Sequence, residues 1–187
     1  GYKVYWDDGA QVVSPHDSGI IAAVNKIQSP SQVKIASHNH ELIEIVGDEL
    51  EKSFVSITHS LQNYSNENST KSNSLSIVYT SLHGTGVTIV PKVLSDWGFQ
   101  NVHVLEEQKT PDGDFPTVNK PIPEEKDAMN LGVKKLVELH ADILLGTDPD
   151  ADRMGAIVLH QDEPVFLNGN QISCILLYHL CDALTEQ

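Results

Sequence analysis

The chain of 187 residues carries 26 acidic against 12 basic side chains, a formal charge of -14 at pH 7, and 40% of its residues are hydrophobic. That length and apolar content can bury the core of one domain or of two small ones. The acidic excess argues against a partner held through a phosphate backbone, so no nucleic acid is expected, and no apolar run is long enough to span a membrane.

The first residues, "GYKVYWDDG", have neither a basic lead nor a secretory core, and they already alternate like the middle of a sheet strand. A piece of a longer protein is the expectation. "YKVYW" and "AQVV" are strand-like runs around Asp7-Asp8-Gly9, which predicts a hairpin, and "HDSGIIAAVNKI" predicts a short helix that ends before Ser29-Pro30. From Gly47 to Leu61 apolar residues recur at helical spacing. The polar, low-complexity run from Asn63 to Ser74 then reads as a solvated loop.

Beyond it, strand and helix patterns alternate. "LSIVYT" is a strand, "LHGTG" a glycine turn, "VPKVLSDW" a helix and "NVHVLEE" a strand. After a long loop containing "TPDGDFPTV" come a helix from about Pro123 to His140 and strands at "ADILLGT" and "MGAIVL". Such alternation predicts an α/β layered domain with parallel pairing through right-handed crossovers. The end, "FLNGNQISCILLYHLCDAL", predicts a helix capped by Asn168 or Asn170, whose apolar face needs a partner. Cys174 and Cys181 are seven apart in it, which suits one helical face better than a bridge or metal site, and a reducing, cytoplasmic setting is expected.

The richest stretch is "ILLGTDPDADRMG", Ile143 to Gly155. Asp148, Asp150 and Asp152 alternate behind an apolar strand, and Arg153 follows at once. In an extended loop such residues point the same way, and Pro149 stiffens the arrangement. Three converging anions repel unless a cation sits among them, and hard oxygen ligands select magnesium or calcium. Arg153 can clamp an oxyanion beside it. A helix-loop-helix calcium site that started at Asp148 would need Gly and Glu where this chain has Arg153 and Leu159. An aspartate-nucleophile phosphotransferase of the haloacid dehalogenase type also places D-x-D after a strand, but there Thr or Val usually stands at the position of Asp152.

Taken in order, "GYKVYWDDGAQVVSPHD", "YTSLHGTG", "EEQKTPDGDFPTV" and "GTDPDADR" resemble the α-D-phosphohexomutase superfamily, in its phosphoglucomutase and phosphomannomutase branch. The resemblance implies a three-layer α/β/α sandwich domain, of the phosphoglucomutase domain 2 type, with flanking partial domains. Residues 1–47 would be the C-terminal part of domain 1, 48–160 domain 2 with the metal loop, and 161–187 the start of domain 3. It implies an isomerase that interconverts hexose 1-phosphate and hexose 6-phosphate through a phosphoserine and a bisphosphorylated sugar, with Mg2+ as cofactor and glucose 1,6-bisphosphate as activator or intermediate. Asp148, Asp150 and Asp152 match the metal ligands, Arg153 the active-site arginine that meets substrate, and Lys3 the proton shuttle.

The family's T-x-S-H-N-P nucleophile segment would lie before Gly1. "IASHNH", with Ser37, lacks its Thr and Pro and falls after Lys3 instead of before it. His38 and His40 alternate but have no third ligand, and Asp112 and Asp114 flank Gly113 in a turn. "HGTG", His83 to Gly86, is either a phosphate cradle or simply a tight turn. The expected partners are a hexose phosphate, leaning to glucose, and the remaining domains of the parent chain. The isolated piece is expected to be inactive. The competing reading is a non-catalytic remnant that binds a metal or sugar phosphate.

Overall fold

The computed structural model describes residues 3–38, 40–41 and 43–185. The chain forms two compact units, residues 1–46 and 47–187.

In the first unit the Asp7-Asp8-Gly9 turn folds a hairpin. Trp6 N–H donates to the Ala10 carbonyl at 2.9 Å and Gly9 N–H to that of Trp6 at 3.0 Å, while Tyr5 and Gln11 make an antiparallel bridge. Asp8 accepts from Ala10 N–H through its side chain at 2.8 Å, the usual reason for Asp in such turns. Helix α1, His16–Val24, follows, and Trp6 stacks on His16.

The second unit is built on a five-stranded mixed sheet in the order β2-β1-β3-β4-β5. Strands β1 (Ile77–Thr80), β2 (Val102–Val104) and β3 (Ile143–Thr147) are parallel, as the alternating pattern predicts. Strands β4 (Met154–His160) and β5 (Glu163–Leu167) run antiparallel, so the all-parallel expectation fails at this edge. The reason is loop length. Only six residues, 148–153, join β3 to β4, too few for the helical crossover that parallel pairing requires. Strand β5 was not legible, since Pro164 and flanking acids blur its alternation.

Helix α5, Lys126–Glu138, packs on β1, β3 and β4. Its buried residues Ala128, Met129, Gly132 and Leu136 recur at helical spacing and meet Val78, Leu144 and Ile157 in one core. Gly132 sets the separation, because a Cβ there would stand 2.8 Å from the Leu144 methyls. Each fully buried aliphatic side chain in this layer contributes about 1.5–3 kcal/mol. Helices α2 (Asp48–Ser60) and α4 (Val90–Asp96) pack together, joined by a Lys92–Glu51 ion pair and a 2.7 Å His59–Asp96 contact. With sheet and helices layered, the α/β class expected from the sequence is the observed one.

The polar run read as a solvated loop is mostly helix. Helix α3 covers Ser65–Lys71, and a tight turn over Ser72–Ser74 completes the segment. Buried Ser72 fixes its end by donating to the Gly98 carbonyl at 2.6 Å. Composition misled here because side chains such as Thr70 and Ser69 bond back to helix carbonyls. Helix α6, Gly169–Thr185, is closed at its start by a reciprocal pair, Gln171 N–H to Asn168 Oδ1 at 3.0 Å and Asn168 N–H to Gln171 Oε1 at 2.9 Å. Asn168 is therefore the cap. Cys174 and Cys181 are free and exposed on this helix. Among the described residues no helix is long and apolar enough to cross a membrane.

Candidate metal centre

Strands β1 and β3 end side by side, and the loop after each lies at their carboxyl ends, where open α/β sheets gather ligands. The β3–β4 loop holds Asp148, Asp150, Asp152 and Arg153. One carboxylate oxygen from each aspartate lies within 4.8 Å of the other two. The sequence expectation of convergence holds, but its mechanism differs. The loop is a turn rather than an extended segment: Ala151 N–H donates to the Asp148 carbonyl at 3.0 Å, and Ala151 adopts a left-handed φ of 59°.

The three carboxylates are not equivalent. Asp148 is 1% exposed, whereas Asp150 and Asp152 face solvent. Arg153 holds Asp148 at both oxygens, its backbone N–H on Oδ1 at 3.0 Å and its Nε on Oδ2 at 2.9 Å. Burial alone would raise the Asp148 pKa, but these bonds outweigh it and leave the carboxyl below the usual range. Asp152 moves the other way, pushed up chiefly by the charges of Asp150 and Asp148. The Arg153 side chain remains half exposed and lies 3.7 Å from Asp152.

The turn after β1 buttresses this loop. Thr85 donates to the Pro149 carbonyl twice, from its backbone N–H at 2.8 Å and its hydroxyl at 3.0 Å. Gly84 is required by contact, since a Cβ there would stand 2.3 Å from Pro149 Cα. His83 N–H donates to the Gln108 carbonyl and Gly84 N–H to that of Ser81, so three successive amides of "HGTG" are already engaged. That favours the tight-turn reading of this motif over a phosphate cradle. Behind both loops, Tyr79 and Thr147 share a 2.8 Å hydroxyl bond, and burial pushes the Tyr79 phenol up.

The donor set fits a hard cation: three carboxylates, one buried and oriented, two exposed and free to adjust. Magnesium bonds of about 2.1 Å put opposite ligands about 4.2 Å apart, a gap that rotation of Asp150 or Asp152 can close. An Asp148 oxygen that already accepts one hydrogen bond keeps a second lone pair for a metal.

The other candidates lie elsewhere. Lys3 is exposed and belongs to the first unit, as do Ser37, His38 and His40, of which the first two sit in exposed irregular backbone. Neighbouring Gly1, Tyr2 and Asn39 fall outside the described residues. Asp112 caps its own turn, accepting from Asp114 N–H at 2.9 Å, in keeping with its reading as a turn residue. Sequence reasoning gave Thr85 and Thr147 no role of their own, because neither a threonine in a glycine turn nor one at the end of a strand carries a pattern.

Residues 54–161 match the family model for phosphoglucomutase/phosphomannomutase, alpha/beta/alpha domain II. The chain belongs to the phosphoglucomutase/phosphomannomutase family. A "Probable phosphomannomutase" of Haemophilus influenzae is 34% identical over 184 residues, covering 96% of this chain and 36% of the relative. A "Probable phosphoribomutase" of Schizosaccharomyces pombe is 35% identical over 185 residues, 96% of this chain and 31% of that protein. Among solved structures, a Thermus thermophilus chain described as a "putative phosphomannomutase" superposes with a TM-score of 0.64 over 93% of this chain and 36% of its own, at 20% identity. The last likeness speaks to fold alone. This phosphohexomutase family chain thus spans about a third of the length of the curated relatives it matches.

Proposed function

We propose that this chain supplies the metal loop of a magnesium-dependent phosphohexomutase that interconverts hexose 1-phosphate and hexose 6-phosphate through a phosphoserine and a bisphosphorylated intermediate, glucose 1,6-bisphosphate for a glucose substrate. The observation that carries the reading is the convergence of Asp148, Asp150 and Asp152 to within 4.8 Å beside Arg153. Family membership supports it, as does the order of the four motifs along the chain. Asp148, Asp150 and Asp152 would hold the ion, which when bound supplies positive charge against phosphoryl oxygens.

The protein's own groups divide the remaining work. Arg153 spends Nε on Asp148, which fixes that carboxylate in its ionised form. Its exposed guanidinium edge is available to an oxyanion of the substrate, where planar donors add both charge and orientation. Lys3 is the proposed proton shuttle for the attacking hydroxyl, a role that suits an exposed amine just ahead of a hairpin. The serine donor is proposed to precede Gly1. We assign residues 1–47 to the end of domain 1 and the sheet to domain 2. We take domain 2 through β5, because that strand pairs with β4, so that domain 3 opens with α6. A cytoplasmic setting suits the substrate class and the free cysteines.

A nucleophilic Asp148 has less support. Both of its oxygens accept bonds from Arg153, and the group is buried. Beryllofluoride trapping separates the readings, since an aspartyl-phosphate enzyme binds it at Asp148 and a phosphoserine mutase metal loop does not.

The deciding experiment is calorimetric titration of the 187-residue chain with Mg2+ and Mn2+, beside the Asp150→Asn variant. One binding event that the variant loses is the expected result. No event in the wild-type chain would overturn the metal reading. With glucose 1-phosphate, the isolated chain should give no turnover above buffer, while the parent protein with its upstream serine should give glucose 6-phosphate.

A further inference from the structure

Beneath the Gly84 turn lies a chain of polar side chains that the proposed chemistry does not use. Thr80, Ser81 and Gln108 have no solvent exposure, and His83 is 5% exposed. The hydrogen bonds fix the role of every atom. Nδ1 of His83 faces the Thr110 carbonyl at 3.2 Å, and because a carbonyl only accepts, Nδ1 carries the proton. Nε2 is then bare and accepts from the Thr117 hydroxyl at 2.8 Å. The Thr117 oxygen in turn accepts from Gln108 Nε2 at 2.9 Å, and Gln108 Oε1 accepts from the Thr80 hydroxyl at 2.6 Å. Thr80 closes the run by accepting from Leu82 N–H at 3.1 Å. Such one-way relays reinforce along their length, and a single missing member leaves buried partners unsatisfied.

The relay spans a strained turn. Leu82 and His83 are consecutive non-glycine residues at left-handed φ values of 47° and 63°. Backbone of that kind persists only where its surroundings over-determine it. Gln108 does so from outside, with its carbonyl accepting from His83 N–H at 3.0 Å and from the Ser81 hydroxyl at 3.1 Å. The next two residues are Gly84 and Thr85, which press on Pro149 between two of the converging aspartates.

We infer that Thr117, Gln108 and His83 are positioning residues for the aspartate loop, setting through Thr85 and Pro149 how closely Asp148, Asp150 and Asp152 converge. This rests on the proposed metal reading for its consequence, though not for its geometry. Thr117 comes from the loop that follows "TPDGDF", and this role gives that segment a structural use in the second unit.

The test is amide hydrogen exchange by NMR on the 187-residue chain, with Mn2+ titration of the same samples. Thr117→Val keeps the shape and removes the relay. It should speed exchange at Ala151 and Arg153 about tenfold, while Tyr79 and Leu145 in the sheet keep their protection. Mn2+ affinity should fall by a similar factor, about tenfold, since the three carboxylates lose the same positioning. Thr117→Ser should restore both. Thr85→Ala, at an exposed position, should give a smaller change in the same direction if Thr117→Val fails to fold. Faster loop exchange without Mn2+ binding by any form would uphold the positioning role and sink the metal reading. Unchanged exchange at Ala151 and Arg153 in a folded Thr117→Val, or in Thr85→Ala where Thr117→Val does not fold, would overturn the inference.

Discussion

Replacing Gly84 by Ala tests whether contact, rather than backbone flexibility, makes glycine necessary at that turn. Gly84 has φ of -102° and ψ of -173°, a conformation any residue adopts, so alanine brings no torsional strain. What it brings is a Cβ 2.3 Å from Pro149 Cα and 2.6 Å from the Pro149 oxygen, against ordinary contacts of 3.4–4 Å. Both partners are backbone, so neither can swing aside and the two loops must part by more than an ångström. Overpacking of this kind costs about 1–3 kcal/mol, and the two Thr85 bonds to Pro149 that stretch with it are worth about 1 kcal/mol each. The sum, about 3–5 kcal/mol, should lower the melting temperature of the chain by about 10 °C. Thermal unfolding followed by circular dichroism reads the stability, and Mn2+ calorimetry reads the loop. A variant that melts with the wild type and binds Mn2+ equally well would refute the proposed buttress.

Charge offers a prediction with a reversal of sign. Asp152→Asn removes the carboxylate that Asp150 and Asp148 disfavour, so it should raise the melting temperature in EDTA and lower it relative to wild type in excess Mg2+. The same sign in both buffers would show that no ion joins the three groups. Asp148 titrates below the usual carboxylate range, so between its folded value and the unfolded value of about 3.9 the unfolded state binds more protons. Its contribution is therefore fully present above that unfolded value and is lost as pH falls through the folded one. Arg153→Gln, which weakens the cause, should flatten the acid limb of a stability-versus-pH curve and lower the melting temperature at neutral pH, where the buried Asp148 charge loses its partner. Asn168→Ala breaks the reciprocal cap of α6 and should cost about 1 kcal/mol by urea unfolding, whereas Asn170→Ala should cost little.

Elements whose apolar pattern and packing agree were legible. Strand β3 and helix α5 announce themselves because their buried positions repeat at the period of their own backbone, and β1 because its short, mostly apolar run is buried throughout. The Asn63–Ser74 segment and β5 were not, since their order comes from partners elsewhere, such as the Gly98 carbonyl for Ser72 and β4 for β5. At the candidate site, the convergence of the three aspartates was legible and the geometry that produces it was not. Alternating aspartates suggested an extended loop because sequence spacing is all that a one-dimensional pattern can carry. The left-handed Ala151 and the contact of Gly84 with Pro149 arise only when β1 and β3 lie side by side, and alanine gives no local sign of such a turn.

That geometry also explains why three carboxylates can gather before any cation arrives. A site with all three buried would be too repulsive to fold, and one with all three exposed would be too loose to select a small ion. Here the cost is divided. Asp148 is withdrawn from solvent but neutralised by Arg153 at two oxygens, so it anchors the loop as half of an ion pair. Asp150 and Asp152 stay in water, where their mutual repulsion is screened and remains as latent energy that a divalent ion can release. On the proposed reading Arg153 has two partners to serve, Asp148 and the substrate oxyanion, and an anion that draws its guanidinium outward would loosen Asp148 as it does so. On this reasoning phosphate should bind more tightly to the metal-loaded chain than to the metal-free one, because the ion then takes over the compensation of Asp148. Competition titrations of inorganic phosphate with and without Mg2+ would detect that coupling, and equal affinities would place the arginine outside it.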